Sequence, residues 1–389
     1  MKVLLTSTDN PYITKWGGKH IHLLLLERGL EKLGAKVCPL YYNANSIREL
    51  VKRGMLLLLP EKRKYDWKIK LRINYLMKHI PMSDFDIIHA HDVLSMLAIA
   101  KMHQKKVLTL HGYFARENIE FIRNESEQSK IYPLLLKKEK EGMENADHVI
   151  TVDKRLKDYV VSEFGYPEKK VTIMHNAVDT DNFRPVTKKE QWKLKQKGGY
   201  SQEDFIVLVP RRLVEKNGVI YAVRAMRYLE SRNVKMIIVG DGPEKTKILK
   251  EINADQRIQF KGIIPHDKIA FYYMMADAVL IPSITVHGIQ EASSLAMLEG
   301  MACGKAVICS KVGGMAEIVQ NMKNGLLVKE KDPRALVKAV ETLIGNPLLS
   351  SELAQGAREY VLQNHSYIAH AKKVFNIYCY VLKEGKAKC

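Results

Sequence analysis

Apolar residues along this chain come mostly in short unbroken runs. In the first half the runs are KVLLTST (2–8), AKVCPLYY (35–42), DIIHAHD (86–92), KVLTLHG (106–112), DHVITVD (147–153) and KVTIMHN (170–176). Helically spaced segments lie between them, such as KHIHLLLLERGLEKLG (19–34), closed by Gly34. Strands that are apolar on both faces and alternate with helices predict a parallel sheet covered on both sides. A polar, basic, turn-rich stretch (177–204) then interrupts the pattern and is expected to be a linker carrying the domain boundary. The pattern restarts with FIVLVP (205–210), a helix near 217–230, VKMIIVG (234–240), RIQFKG (257–262), DAVLIPS (277–283), KAVICS (305–310) and GLLVK (325–329). Asp332-Pro333 reads as a helix start, since Asp caps and Pro suits the first turn. A final helical stretch over 351–384 is long enough to return to the first domain. The expected division is therefore 1–184, 185–360 and a returning helix over 361–389.

Polar groups cluster just past the strands: Asp92, His111, Asn176, Arg211, Arg212, Asp241, Ser283 and Ser310. Ligands of doubly wound sheets bind outside the carboxyl ends of the strands, and two such domains in tandem form a cleft. That regularity predicts a functional cleft.

Composition narrows the classes. A chain of 389 residues exceeds what one core usually serves. The five cysteines (Cys38, Cys303, Cys309, Cys379, Cys389) form no CxxC pair, so neither a disulfide framework nor a structural zinc site is expected. No secretory pattern opens the sequence and no apolar run is long enough to span a bilayer, so the expected location is cytoplasmic. The net charge of +19 favours a polyanionic partner. Nucleic acid is not expected, because no aromatic–basic repeat or reading helix accompanies the charge. The basic stretch 52–78 mixes Lys and Arg with Leu, Ile, Trp and Tyr. It reads either as contact with the inner, anionic face of a membrane or as an ordinary helix face, and both stay open.

Four stretches carry candidate chemistry. Gly17-Gly18, between the first strand and a helix, allows close approach of a phosphate, although no GxGxxG fingerprint is present. In VPRRLVEKNG (209–218), Arg212 and Lys216 share a face if the segment is helical, and then suit a diphosphate. In EASSLAMLE (291–299), a helix capped by Ser293 or Ser294 leaves Glu291 in the preceding loop and Glu299 more than a turn inside, where a carboxylate suits two vicinal hydroxyls. His111 sits at a strand end before a glycine. His89, His91, Asp92 and His111 also read as metal ligands, but no fourth ligand is placed by spacing and no metal is expected. The acidic pair Asp179 and Asp181 reads as local capping. The absence of a Walker A sequence and of a G-x-S-x-G elbow argues against an ATPase and a serine hydrolase.

At these residues the sequence resembles the retaining glycosyltransferases of the GT-B fold, family 4. Glu291 and Glu299 match the family's pair of glutamates separated by seven residues, and the pattern continues through EASSLAMLEGMACGKAVICSKVGGMAEIV (291–319) to Glu317. Gly17-Gly18, LHG (110–112), HNAVDTDNF (175–183), RRLVEKNG (211–218), VGDGPE (239–244), FKG (260–262) and Pro282-Ser283 also match. The resemblance implies two Rossmann-like domains facing across a deep cleft, with a C-terminal helix returning to the first. It implies transfer of a hexosyl group from a UDP- or GDP-linked sugar to a glycan, lipid-linked or phosphorylated acceptor, with same-face attack and no metal or other cofactor. It places Gly17 and Gly18 near the diphosphate, Arg212 and Lys216 on it, and Glu299 on the ribose. Gly262 and Ile263 fall by the base; Glu291 and the amides of Ala292, Ser293, Ser294 and Leu295 on the donor sugar; His111 near the reacting carbon. Many members have Gly-Phe-Gly after the first glutamate where this chain has Ala292-Ser293-Ser294, which leaves the sugar's identity open. The alternatives are a GT-B phosphorylase or epimerase, or a non-catalytic module binding sugar nucleotides or anionic surfaces.

Overall fold

The computed structural model describes residues 1–13, 18–43, 61–119 and 125–386. The chain divides into two compact units, one of residues 1–174 with 370–389 and one of residues 175–369. All paired strands in both are parallel, as the unbroken apolar runs predict.

In the first unit β1 (Lys2–Ser7), β2 (Lys36–Tyr41), β3 (Ile87–Ala90), β4 (Lys105–Leu110), β5 (His148–Thr151) and β6 (Val171–Ile173) lie in the order β2-β1-β3-β4-β5-β6. Side chains alternate across the sheet. Val3, Leu5, Ile87, Val107 and Ile150 pack with Leu23, Leu26 and Leu30 of helix Gly18–Lys32, and with Ala371, Val374, Tyr378 and Val381 of helix Tyr367–Lys386. The C-terminal helix therefore packs on the first unit, as expected. The described part of the basic region is helix Glu61–Lys78. Its Ile69, with Tyr65 and Ile73 one turn to either side, packs against Leu94, Ala115, Ile131 and Leu135, while Trp67 is exposed. Residues 52–60 of that region lie outside the described residues.

In the second unit β7 (Phe205–Pro210), β8 (Val234–Val239), β9 (Ile258–Gly262), β10 (Ala278–Ile281), β11 (Ala306–Ser310) and β12 (Leu326–Val328) take the order β12-β11-β10-β7-β8-β9. Ile206, Leu208, Val279, Ile281, Val307 and Cys309 line one buried face, and Val207, Val209, Ala278, Leu280, Ala306 and Ile308 the other. Asp332 caps helix Pro333–Gly345, accepting from the Ala335 amide, with Pro333 in its first turn.

Three expectations need correction. The stretch 177–204 is no free linker. Val178, Phe183 and Tyr200 are buried in the second unit's core, and Thr187 and Glu190 form a capping box on helix Lys188–Lys197. That burial draws the division to 174/175, ahead of the expected 184/185. The final helical stretch is two helices, Pro347–Asn364 and Tyr367–Lys386. It breaks because Val178 takes its backbone groups, donating to the His365 carbonyl (2.9 Å) and accepting from the Tyr367 amide (3.2 Å). Residues 361–369 consequently stay with the second unit, anchored by Val361, and the change of unit falls at 369/370 rather than 360/361. Third, Arg212 and Lys216 share no helix face: a 3-10 turn covers only Glu215–Asn217 and ends at left-handed Gly218.

Candidate functional site

Sheet order reverses between β7 and β10 in the second unit, the position where such folds open a crevice. Arg211 follows β7 and extends its ladder, its amide donating to the Val239 carbonyl at 2.9 Å. Its buried guanidinium spans the reversal. Nη1 donates to Ser294 Oγ (2.8 Å), and Nη2 to Ser283 Oγ (2.9 Å), Asn217 Oδ1 (2.5 Å) and Glu291 Oε2 (3.0 Å). Asn217 returns a bond from Nδ2 to the Arg212 carbonyl at 2.7 Å, which fixes the 211–217 loop. Two close approaches shape this loop. A Cβ on Gly218 (φ +63°) would lie 1.9 Å from the Pro282 carbonyl oxygen, and one on Gly240 (φ +142°) 2.0 Å from that of Arg211. The glycine of RRLVEKNG and the first of VGDG are thus explained by backbone packing.

The opening of EASSLAMLE is loop. Ser294 is the N-cap of helix Leu295–Ala302, Cys303 its C-cap, and Gly304 follows at φ +61°. Glu291 precedes the cap, half-buried on Arg211. Its carbonyl accepts from the Gly314 amide at 3.1 Å, and Ser293 Oγ accepts from the Asn176 amide at 3.0 Å. The first amides of the helix, including that of Leu295, have no acceptor within it. Glu299 is buried, accepting from Tyr273 Oη (2.7 Å) and paired with His266 Nε2 (2.8 Å). Burial works against a charged His266, yet Glu299 outweighs it and raises the imidazole above its usual range. Arg212 and Lys216 are exposed, and neither has an ion-pair partner among the described residues. Gly262 ends β9 at φ +65°, and Ile263 beside it is exposed. Of the acids of DTD, Asp179 caps locally, accepting from the Asp181 and Asn182 amides, whereas Asp181 accepts from the distant Tyr367 Oη.

In the first unit the order reverses between β1 and β3. Asp92, just past β3, spans the reversal. Its carboxylate accepts from Ser7 Oγ (2.9 Å), the Thr8 amide (2.7 Å), Lys19 Nζ (2.9 Å) and the Ser95 amide (2.8 Å). Burial opposes its charge, but Lys19 and the amides hold its pKa down at about 2. Gly18 opens helix Gly18–Lys32 and is exposed; Gly17 lies outside the described residues. His111, past β4, is half-buried against His91 and His22. His89 is instead occupied by Tyr378 Oη and Thr109 Oγ1, both at 2.7 Å. Residue patterns alone did not bring forward Lys19, His22, His266 or Tyr273. Of these only Lys19, one residue past the glycine pair, carried a positional signal.

A family model described as glycosyl transferases group 1 matches residues 190–360, and one described as glycosyltransferase family 4 matches residues 16–182. The chain is a GT-B glycosyltransferase related to both families. An uncharacterized glycosyltransferase of Methanocaldococcus jannaschii is 26% identical over 375 residues, covering 93% of this chain and 94% of that protein. N-acetyl-alpha-D-glucosaminyl L-malate synthase of Bacillus anthracis is 26% identical over 78% of this chain and 77% of its own. Among solved structures, sucrose-phosphate synthase from Thermosynechococcus elongatus superposes with a TM-score of 0.77 over 98% of this chain and 99% of that one, at 21% identity, a likeness of fold. The glycosyltransferase acts on a nucleotide-sugar donor. None of its described helices is long and apolar enough to cross a membrane.

Proposed function

We propose that the enzyme transfers a hexosyl group from a UDP- or GDP-linked sugar to an acceptor hydroxyl, with retention, by same-face attack and without a metal. The observation that carries this reading is the pair of exposed cations, Arg212 and Lys216, on a loop fixed to the Arg211–Glu291–Ser294 network. Positive charge held in place at a diphosphate stabilises the negative charge that develops as the leaving group departs. Glu291 and the amides of Ala292, Ser293, Ser294 and Leu295 receive the donor sugar. Exposed Ile263, after Gly262, offers an apolar surface for the base. Glu299 serves the ribose from a carboxylate already oriented by Tyr273 and His266, each oxygen keeping a further lone pair. Gly18 and His111 take the roles the resemblance implies, approach to the diphosphate and contact with the sugar. A double displacement needs a carboxylate at the anomeric carbon, and in this reading Glu291, paired with Arg211, serves sugar hydroxyls instead. The acceptor is a glycan, a lipid-linked sugar or a phosphorylated small molecule. The enzyme works in the cytoplasm.

Calorimetric titration with UDP, GDP and ADP, first without metal and then with Mg²⁺, tests the donor reading. One of these binding without metal supports it and names the donor class. Nuclear magnetic resonance of the product then reads the anomeric configuration, and inversion overturns the mechanism. Absence of binding by folded protein overturns the donor assignment.

A further inference from the structure

The first unit holds a group of imidazoles at the carboxyl ends of β3 and β4. Ring centroids of His22 lie 4.7 Å from His111, 5.3 Å from His91 and 4.9 Å from His370. His22, His91 and His111 each offer a ring nitrogen, and those three atoms lie within 4.8 Å of one another. His91 Nδ1 and His111 Nε2 are 3.2 Å apart. Two nitrogens bound to one tetrahedral Zn²⁺ at about 2.0–2.1 Å stand roughly 3.3–3.4 Å apart, so this pair already has the spacing of two ligands. His22, 3% exposed, supplies the third: neither of its ring nitrogens has a hydrogen-bond partner among the described residues. Buried polar side-chain atoms nearly always have one.

Neutral imidazole is the ligating form of histidine. The nearest positive charge, Lys19, is compensated by Asp9 and Asp92 at 2.8 and 2.9 Å. Three imidazoles without a carboxylate suit zinc, nickel or copper rather than magnesium or calcium.

We propose that His22, His91 and His111 form a transition-metal site binding one Zn²⁺-like ion per chain, with water in the fourth position. The ion engages the imidazole assigned above to the donor sugar, so its binding inhibits transfer; this second clause alone rests on the proposed function.

The test titrates the metal-free full chain with Zn²⁺ by calorimetry and with Co²⁺ by visible absorption, which reports tetrahedral nitrogen coordination. One equivalent is expected, with the tetrahedral cobalt spectrum. His22→Gln and, separately, the less buried His111→Gln are each expected to weaken it at least about tenfold, a loss comparable to that from removing even an outer-shell partner. His103→Ala, at an exposed histidine away from the group, is expected to leave it unchanged. Binding at wild-type strength in both glutamine variants, an octahedral cobalt spectrum, or no equivalent in the wild type overturns the site. Nucleotide titration of the same metal-free protein reads the donor site separately. Inhibition by Zn²⁺ in the wild type that is lost in His22→Gln supports the second clause, and undiminished turnover with Zn²⁺ bound overturns it.

Discussion

The two sheet reversals are built on the same plan with opposite charge. In the second unit a buried arginine, Arg211, crosses from β7 to β10 and gathers acceptors: Ser283, Asn217, Ser294 and Glu291. In the first unit a carboxylate, Asp92, crosses from β3 to β1 and gathers donors: Ser7, Thr8, Lys19 and Ser95. Each fixes the loops where its strands end, but the arginine leaves two further cations facing solvent, whereas the carboxylate is largely consumed by Lys19. The difference is what leads the proposed function to put the diphosphate's main countercharge at the β7–β10 reversal.

The comparison can be broken by substitution. Arg211→Ala is expected to cost about 3–5 kcal/mol of stability, as for removal of one partner of a buried pair, read by urea unfolding. A loss below 1 kcal/mol means that Arg211 is no structural hub. Lys216→Ala is expected to lower turnover at saturating donor by about 10²–10³, with stability changed by less than about 0.5 kcal/mol. Turnover near the parent level removes Lys216 from the diphosphate. The Asp92 carboxylate has a folded pKa of about 2 against an ordinary 3.8. A depressed carboxylate stabilises the fold above its unfolded pKa, by about 2 kcal/mol here, and loses that contribution as pH falls from about 4 to 2. Asp92→Asn should therefore flatten the acid limb of stability against pH, and an unchanged limb contradicts the assignment. Thr187→Ala, at the capping box of helix Lys188–Lys197, is the smallest effect, about 1 kcal/mol with turnover unchanged. A change in turnover would link that helix to the site.

The twelve strands were legible because both units bury both faces of a parallel sheet, leaving continuous apolar runs. That same continuity hid which of two adjacent arginines turns inward: FIVLVP has no alternation to extend, and what separates Arg211 from Arg212 is its ladder bond to Val239 and the buried acceptors around its guanidinium. The stretch 177–204 misled because its anchors, Val178, Phe183 and Tyr200, are isolated among polar residues, although T-K-K-E at 187–190 is a readable capping signature. Glu291 in the loop, and a cap at Ser293 or Ser294, followed from local chemistry; the structure selects Ser294. His22 did not, because a histidine within a buried helical face looks like core until the strand ends of β3 and β4 are brought beside it.

The C-terminal helix has a consequence for how the protein is made. Its Ala371, Val374, Tyr378 and Val381 fill the core whose other walls come from the opening residues of the chain, and Tyr378 supplies the partner of His89. On the ribosome, the segment through Met174 emerges with that apolar surface uncovered. It must wait for all of residues 175–369 to be synthesised before its own last wall arrives. The second unit, whose sequence is contiguous, can complete itself first, so the order of maturation runs opposite to the order of translation.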